Sequence, residues 1–217
     1  MQIPEEIQKH LQTLTIPELI KTTPSHCELA FTWVYLDLNG KLRFGRNFRL
    51  YEEDALIHAK LIAWFLRDEE LARHLDIDLN KGFLLTGPVG CGKTSLMRLA
   101  RALLPAGSRV DFIPCRTLSL EVTKFGMEVL PRYMDGPAIF DDLGLESRVQ
   151  YFGNMVEPMA EILLSRYERN TFSNCHLTTN LSSHEIEDRY GRRIRSRLRE
   201  MVNLVAFDKE AGDKRKE

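Results

Sequence analysis

Eight consecutive residues have the types and spacing of a loop that binds the phosphates of a nucleoside triphosphate. They fit the pattern Gly-x-x-x-x-Gly-Lys-Thr and are Gly87, Pro88, Val89, Gly90, Cys91, Gly92, Lys93 and Thr94. Glycines in such a loop allow backbone N–H groups to turn inward toward phosphate oxygens. We expect Lys93 to reach the β- and γ-phosphates, and the Thr94 hydroxyl to bind a Mg²⁺ ion that phosphate oxygens and water otherwise hold. These eight residues, here called the phosphate loop, and the following Ser95 are the predicted ATP site.

Two acids and an amide supply the other candidates for catalysis. Asp141 and Asp142 directly follow the apolar residues 137–140, and Asn180 follows a second strand-like run. We predict that Asp141 holds Mg²⁺ through water and that Asp142 orients or deprotonates the attacking water. The Asn180 amide is expected to reach the γ-phosphate or the same water. The alternative for these residues is an ordinary turn after a strand.

The hydrophobic pattern of the surrounding chain indicates which elements bring these residues together. Short apolar runs predict five strands, at residues 82–86, 109–114, 137–142, 175–180 and 202–207. Helical runs are predicted at residues 95–104, at 117–130 with a break near Gly126, and at 154–170 with Pro158 in the first turn. Strands that alternate with helices predict an α/β fold with a parallel five-stranded sheet flanked by helices. Ligands of such sheets collect at the carboxyl ends of the strands, where the phosphate loop and the acids both lie.

The densest charge cluster of the chain is a run of arginines near its end. Residues 189–199 contain six, which are Arg189, Arg192, Arg193, Arg195, Arg197 and Arg199. The formal net charge of the whole chain is only -1, so this local excess of positive charge predicts that the cluster binds an anion or is neutralised by solvent. Three interpretations stay open: a solvated helix, a surface for nucleic-acid phosphates, and an arginine that reaches the γ-phosphate of a neighbouring subunit.

Residues 1–75 are predicted to form a small N-terminal extension. A helix is expected over residues 5–14 from its apolar spacing, and the Asn39-Gly40 pair predicts a β-hairpin within residues 29–44. Residues 51–74 have the pattern of an amphipathic helix with acids in its first turn. The core is expected to comprise residues 76–208, followed by a charged tail at 209–217.

The composition excludes several classes of protein. The 217 residues are 43% hydrophobic and 28% charged, as in a globular protein. The 30 basic residues are balanced by 31 acidic ones, which argues against a protein whose whole surface binds nucleic acid. The four cysteines have no paired spacing that would predict zinc. No signal-peptide pattern is present, and no apolar run approaches the roughly 20 residues of a membrane span. We therefore expect a cytoplasmic protein without membrane contact.

Four motifs, in this order, resemble the DnaC/IstB branch of the AAA+ ATPases, which contains bacterial helicase loaders and the ATPase helpers of insertion-sequence transposition. They are the phosphate loop and residues 138–144, 177–182 and 190–198. The resemblance covers about residues 80–207 and implies an AAA+ core that binds ATP between the subunits of a ring or spiral. It implies that Asp141 is the Mg²⁺-associated acid and Asn180 the first sensor. It also implies that Arg193 is a finger acting on the ATP of a neighbouring subunit, with Arg197 a second basic contact.

The chain departs from this family at two points. Arg192 stands where relatives carry an acid, and the chain ends soon after the fifth strand, which predicts that the C-terminal helical lid is absent. The resemblance implies an ATP-hydrolysing homo-oligomer that loads or assembles a replicative helicase on DNA, with residues 1–75 selecting the partner. The resemblance makes Arg116, Lys124, Phe125 and Arg132 candidates for contact with single-stranded DNA, and the alternative is a solvated helix with Phe125 in the core. The alternatives are a transposition helper that acts with a transposase, a slow nucleotide switch, and a small-molecule kinase.

Overall fold

The computed structural model describes residues 26–105 and 107–214, which fall into two compact units. One unit comprises residues 26–78 and 95–105, and the other comprises residues 79–94 and 107–214. The helix predicted at residues 5–14 lies outside the described residues. Within the described ranges, no helix has both the length and the apolar composition that crossing a membrane requires.

The first unit begins with helix α1 (His26–Phe44), so the predicted hairpin is wrong. The side chains of Leu29, Trp33 and Leu36 are buried at spacings of four and three residues, which is the period of a helix face. Gly40 continues this buried face and lacks the positive φ that an Asn-Gly hairpin turn requires. A Cβ atom on Gly40 would lie 2.0 Å from Cε1 of Phe48. The glycine therefore admits an aromatic ring to the helix surface instead of forming a turn.

Two further helices follow in this unit, and a short 3₁₀ turn precedes them at Glu52–Asp54. They are α2 (Ala55–Phe65) and α3 (Glu69–His74). The single helix predicted over residues 51–74 is interrupted at Arg67, whose φ of 57° is left-handed. The Asp68 side chain then accepts a hydrogen bond of 2.9 Å from the Leu71 N–H and caps α3.

The second unit is built on a parallel sheet. The strands of this unit are β1 (Gly82–Thr86), β2 (Asp111–Pro114), β3 (Ala138–Leu143), β4 (Val149–Tyr151), β5 (Asn154–Val156), β6 (Cys175–Thr179) and β7 (Val202–Ala206). Five of them form one sheet in the order β2-β3-β6-β1-β7, and each neighbouring pair is parallel. The strands β4 and β5 form a separate antiparallel hairpin, which the sequence did not predict. The predicted parallel five-stranded sheet is confirmed.

The four remaining helices are α4 (Lys93–Ala100), α5 (Cys115–Phe125), α6 (Pro158–Glu168) and α7 (Ser183–Met201). The first three overlap the helical runs that the sequence predicted, although residues 154–156, which were predicted as helix, form β5, and no bounds were predicted for the fourth, α7. Helix α5 ends at Gly126, whose φ of 82° is the predicted break, and α6 has Pro158 in its first turn. Ser182 and Glu185 form a capping box at the start of α7, which is kinked at Gly191.

The central strands of the second unit are part of its hydrophobic core. All five residues of β6 and the first four of β1 are buried, as expected for parallel strands that are covered on both faces. Arg166 of α6 is fully buried, and its guanidinium donates to the backbone carbonyls of Tyr133, Asp135, Gly136 and Thr171. This buried charge is satisfied by four carbonyl oxygens, and it fixes the loop that leads into β3.

Candidate nucleotide-binding site

The phosphate loop leaves the end of β1 and enters α4 at Lys93. Gly90 and Gly92 adopt φ values of 86° and 103°, which favour glycine over residues with a Cβ atom. Cys91, between them, is fully buried. These two glycines therefore set a backbone conformation that other residues adopt only with strain.

The Lys93 side chain turns back into the loop. Only 5% of this residue is exposed, and its Nζ atom donates hydrogen bonds to the carbonyl oxygens of Gly87 (2.9 Å) and Pro88 (2.7 Å). These bonds satisfy the buried ammonium group and hold it among the loop residues. A positive charge is thereby fixed inside the loop, where a phosphate would neutralise it.

Thr94 and Asp141 are in direct contact, although 46 residues separate them in the sequence. The Thr94 hydroxyl donates to Asp141 Oδ1 at 2.8 Å, and the hydroxyl of Thr178 donates to the same oxygen at 2.7 Å. Asp141 is 6% exposed and is the fourth of the six residues of β3, the strand beside β6. A hydrogen bond thus links Thr94, at the start of α4, to the acid of β3.

Asp142 lies in a β-bulge of β3. The register between β3 and β6 shifts between Phe140 and Leu143, and Asp142 has a φ of 59°. Its N–H donates to the Thr178 hydroxyl at 2.9 Å, which fixes the bulge. Burial, and after it the charge of Asp141, raise the pKa of the Asp142 carboxyl, whereas Lys93 and Arg116 oppose the shift. A carboxylate that binds protons more tightly than usual is a suitable general base.

Thr178 is a site residue that the sequence did not single out as one. It is fully buried, and its one hydroxyl both donates to Asp141 and accepts from the Asp142 backbone. A polar pair, Thr178-Thr179, within an otherwise apolar strand was the available signal. Buried hydroxyls require hydrogen-bond partners, so such a pair indicates a polar neighbour across the sheet.

The other predicted nucleotide-site residues lie nearby in the chain. Asn180 follows the carboxyl end of β6 and is exposed, and Ser95 is the third residue of α4 and is half-buried. The Thr86 hydroxyl donates to the carbonyl of Leu181 at 3.1 Å, which ties the end of β1 to the segment that carries Asn180.

The charged tail contributes a contact that the sequence did not predict. After β7, the Phe207 N–H donates to the Thr86 carbonyl at 2.8 Å, and the Lys214 N–H donates to the Gly90 carbonyl at 3.1 Å. A Cβ atom on Gly90 would lie 2.2 Å from Asp213 Oδ1, so the absence of a side chain there admits the tail. Residues 207–214 therefore run along the phosphate loop and contain no helix.

The predicted finger is not part of this group of side chains. Arg193 lies on α7 beyond the kink at Gly191, is 67% exposed, and forms an ion pair of 3.5 Å with Glu168. The structure brings together Lys93, Thr94, Asp141 and Asp142, whereas Arg193 faces solvent on the same unit.

The chemistry of the oxygen donors fits Mg²⁺. No group of three or more His, Cys, Asp or Glu side chains that could hold a metal occurs among residues 26–105 and 107–214. The hydroxyl of Thr94 and the carboxylate of Asp141 are hard oxygen donors, 2.8 Å apart. Mg²⁺ prefers such sites, in which one or two protein oxygens leave room for phosphate oxygens and water.

Three features define a P-loop α/β domain. They are a parallel sheet, a glycine-rich loop between β1 and α4, and a hydroxyl–carboxylate pair toward the carboxyl ends of the strands. Two solved structures are similar to this chain. One is AMPPCP-bound DnaA from Aquifex aeolicus, with a TM-score of 0.50 and 20% sequence identity over 75% of this chain and 49% of that one. The other is the crystal structure of a DNA replication initiation factor, with a TM-score of 0.51 and 16% identity over 75% of this chain and 48% of that one.

The likeness to these proteins shows the fold alone, a parallel five-stranded sheet with flanking helices. This chain spans about half the length of each of them. A scan against protein-family models finds no match, and a search of curated proteins finds no significant one.

Proposed function

We propose that this protein binds ATP with Mg²⁺ at the phosphate loop, hydrolyses it, and acts as a DNA-associated loader or assembly factor for a replicative helicase. The observation that carries the proposal is the contact between Thr94 and Asp141, 2.8 Å long, beside a lysine buried in the loop. Of the two similar structures, one is of DnaA with bound AMPPCP, which supports nucleotide binding, and the other is of a DNA replication initiation factor, which supports a role in DNA replication.

The side chains of the site have separate tasks in this proposal. Lys93 exchanges its two carbonyl partners for phosphate oxygens, which need the positive charge more than neutral carbonyls do. Thr94 and Asp141 hold Mg²⁺, which neutralises charge on the phosphates when it is bound. Asp142 accepts a proton from the attacking water, and Asn180 orients that water or the γ-phosphate.

The oligomer supplies the last component. Arg193 is exposed, and its one ion pair among residues 26–105 and 107–214 is with the exposed Glu168, a type of contact that is typically worth about 0–1 kcal/mol. Exchanging that partner for a γ-phosphate therefore costs little. We propose that Arg193 reaches the ATP of a neighbouring copy in a homo-oligomer, and that single-stranded DNA promotes the assembly.

The test is steady-state ATP hydrolysis per subunit as a function of protein concentration, with and without single-stranded DNA. Specific activity should rise with concentration, because a finger in trans contributes only on assembly and can be worth about 10³–10⁵ in rate. Arg193→Ala should abolish the rise. Arg169→Ala is the matched control, since Arg169 is also exposed and also pairs with a single acid, Asp135.

Three results would contradict parts of the proposal. If Arg193→Ala hydrolyses ATP like the parent while still assembled, the finger assignment is wrong. If the parent hydrolyses ATP at a rate independent of concentration and of DNA, the protein is a self-sufficient enzyme. If it binds no nucleotide, the phosphate loop does not have the proposed function.

A further inference from the structure

Helix α7 forms an open cleft on the second unit. The cleft has a volume of about 370 Å³ and is lined by Glu187, Arg192, Arg195, Ser196 and Arg199. Neither Arg193, the predicted finger, nor any residue of the phosphate loop lines it. The cleft is therefore separate from the candidate nucleotide site.

The kink at Gly191 creates this cleft. Glu187 precedes the kink and Arg195 follows it by four residues, yet the two side chains form an ion pair. In a straight helix, eight residues would place them about 12 Å apart along the axis. The φ of 84° and ψ of 164° at Gly191 break the helix, and this allows the Glu187 carboxylate to reach the arginines beyond it.

The positive charges in the cleft outnumber the negative charge. Glu187 accepts hydrogen bonds from Arg195 and from Arg192, the latter at 3.0 Å, so one carboxylate serves two guanidinium groups. Arg199 is exposed and forms no ion pair or hydrogen bond with any residue in the described ranges. The Nε atom of Arg195 is buried and has no acceptor. Three guanidinium groups against one carboxylate leave two positive charges and unused N–H donors.

The spacing of the arginines suits an extended anion. Arg192, Arg195 and Arg199 follow one another at intervals of three and four residues, so they lie along one face of the helical segment after the kink. The row is about 10 Å long, at 1.5 Å per residue. Guanidinium groups bind phosphate oxygens through pairs of parallel N–H donors, and the Ser196 hydroxyl adds another donor within the row.

We propose that this cleft binds adjacent phosphates in the backbone of a single-stranded nucleic acid. The ligand displaces neither Lys93 nor Asp141, because the cleft lies outside the phosphate loop. Arg199 binds one phosphate directly, while Arg192 and Arg195 bind the next with the donors that Glu187 leaves unused. The proposal rests on the proposed function for the nature of the ligand, since both invoke single-stranded DNA.

The experiment measures the affinity of the full chain for a fluorescently labelled single-stranded oligothymidylate at several salt concentrations. The slope of log K against log salt concentration reports the number of phosphates contacted, at about 0.7 per phosphate for single strands. Arg199→Ala should weaken binding several-fold and reduce the slope by about 0.7, the value for one phosphate. Arg199→Lys, which keeps the charge, should recover part of both. Arg109→Ala is the control. Arg109 is an exposed arginine just before β2, and its ion pair among the described residues is with Asp111.

Binding of a fluorescent ATP analogue is measured in parallel on the same variants. It should be unchanged in Arg199→Ala, so a failure of the ATP site and a failure of the cleft give different results. Equal loss of affinity in Arg199→Ala and Arg109→Ala would overturn the proposal, because it would show a diffuse charge effect. A strand with an uncharged backbone that binds as tightly as DNA, or polyglutamate that competes as well as DNA, would also overturn it.

Discussion

A single buried hydroxyl positions both acids of the candidate site. Thr178 Oγ1 donates to Asp141 Oδ1 at 2.7 Å and accepts the Asp142 N–H at 2.9 Å. Thr94 approaches the same Asp141 oxygen from the phosphate loop. Asp141 is thereby held by two hydroxyls, and Asp142 is turned outward by the bulge. The two neighbouring carboxylates thus have different environments, which favours different roles for them.

The raised pKa of Asp142 predicts opposite effects of Asp142→Asn on activity and stability. We expect the substitution to lower ATP hydrolysis by about 10²–10⁴, the usual contribution of a general base, without loss of nucleotide binding. The parent's rate should fall as the pH drops through the Asp142 pKa, because the base must be ionised. This acid limb should lie above the range of an ordinary aspartate, whose pKa is about 3.9.

The effect on stability has the opposite sign because of proton linkage. The folded chain holds the Asp142 proton more tightly than the unfolded chain, so ionisation of this group destabilises the fold at neutral pH. Asp142→Asn should therefore raise the melting temperature at pH 7, and the gain should shrink as the pH falls through the folded-state pKa. Asp188→Asn, at an exposed site on α7, should change neither property. A lower melting temperature for Asp142→Asn would contradict the argument.

At the scale of elements, α1 shows how tertiary packing overrides a turn signal. Asn39-Gly40 is a strong hairpin pair, but the Asn39 amide donates to the Tyr35 carbonyl one helical turn back, at 2.9 Å. Gly40 receives the ring of Phe48, which also packs against Phe44 with ring centroids 5.3 Å apart. The contact of the Phe48 ring with the buried Gly40 favours the helix over the local turn.

The effect of Gly40→Ala should depend on whether Phe48 is present. In the parent, the new methyl group would collide with the ring, and the free energy of unfolding should decrease. A Phe48→Ala background removes the three atoms nearest to the new methyl group, and the same substitution should then raise the free energy of unfolding by up to about 1 kcal/mol, the difference in helix propensity. Urea unfolding of the four proteins measures both effects. Destabilisation in both backgrounds would indicate that Gly40 needs a backbone conformation closed to alanine, as in a hairpin.

At the scale of the whole molecule, a nucleotide that binds only the folded chain must stabilise it. A non-hydrolysable ATP analogue with Mg²⁺ should raise the free energy of unfolding by about 2.7 kcal/mol at a concentration of 100 Kd. Asp141→Asn should remove the part of this stabilisation that depends on Mg²⁺ and keep the part that depends on nucleotide alone. Thermal unfolding with and without Mg²⁺ measures the two parts.

The matched control for this measurement is Asp135→Asn, at an exposed site of the same unit. It should retain the full response to Mg²⁺. Equal responses in Asp141→Asn and the parent would show that Asp141 does not hold the metal.

The sequence predicted the parallel sheet well because most of its strands contain a short apolar run. The five strands lie within one or two residues of their predicted bounds, since buried strands of this kind differ clearly from the charged helices between them. The hairpin of β4 and β5 was missed because its strands are three residues long and only half-apolar. The break between α2 and α3 was also missed, because apolar residues resume at Leu71 after the four charged residues 67–70 and no glycine or proline marks the interruption.

The sequence by itself determined the position of the phosphate loop, the position of Asp141 and Asp142 in a predicted strand, and the fold class. These features depend on local backbone conformation and on hydrophobic periodicity. Only the tertiary structure decided that Thr178 joins Asp141 to Asp142, that residues 207–214 run along the loop, and that Gly191 opens the arginine-lined cleft. Each of these depends on contacts between segments far apart in the chain or on one backbone torsion. The spacing of residues along a single element does not encode such contacts.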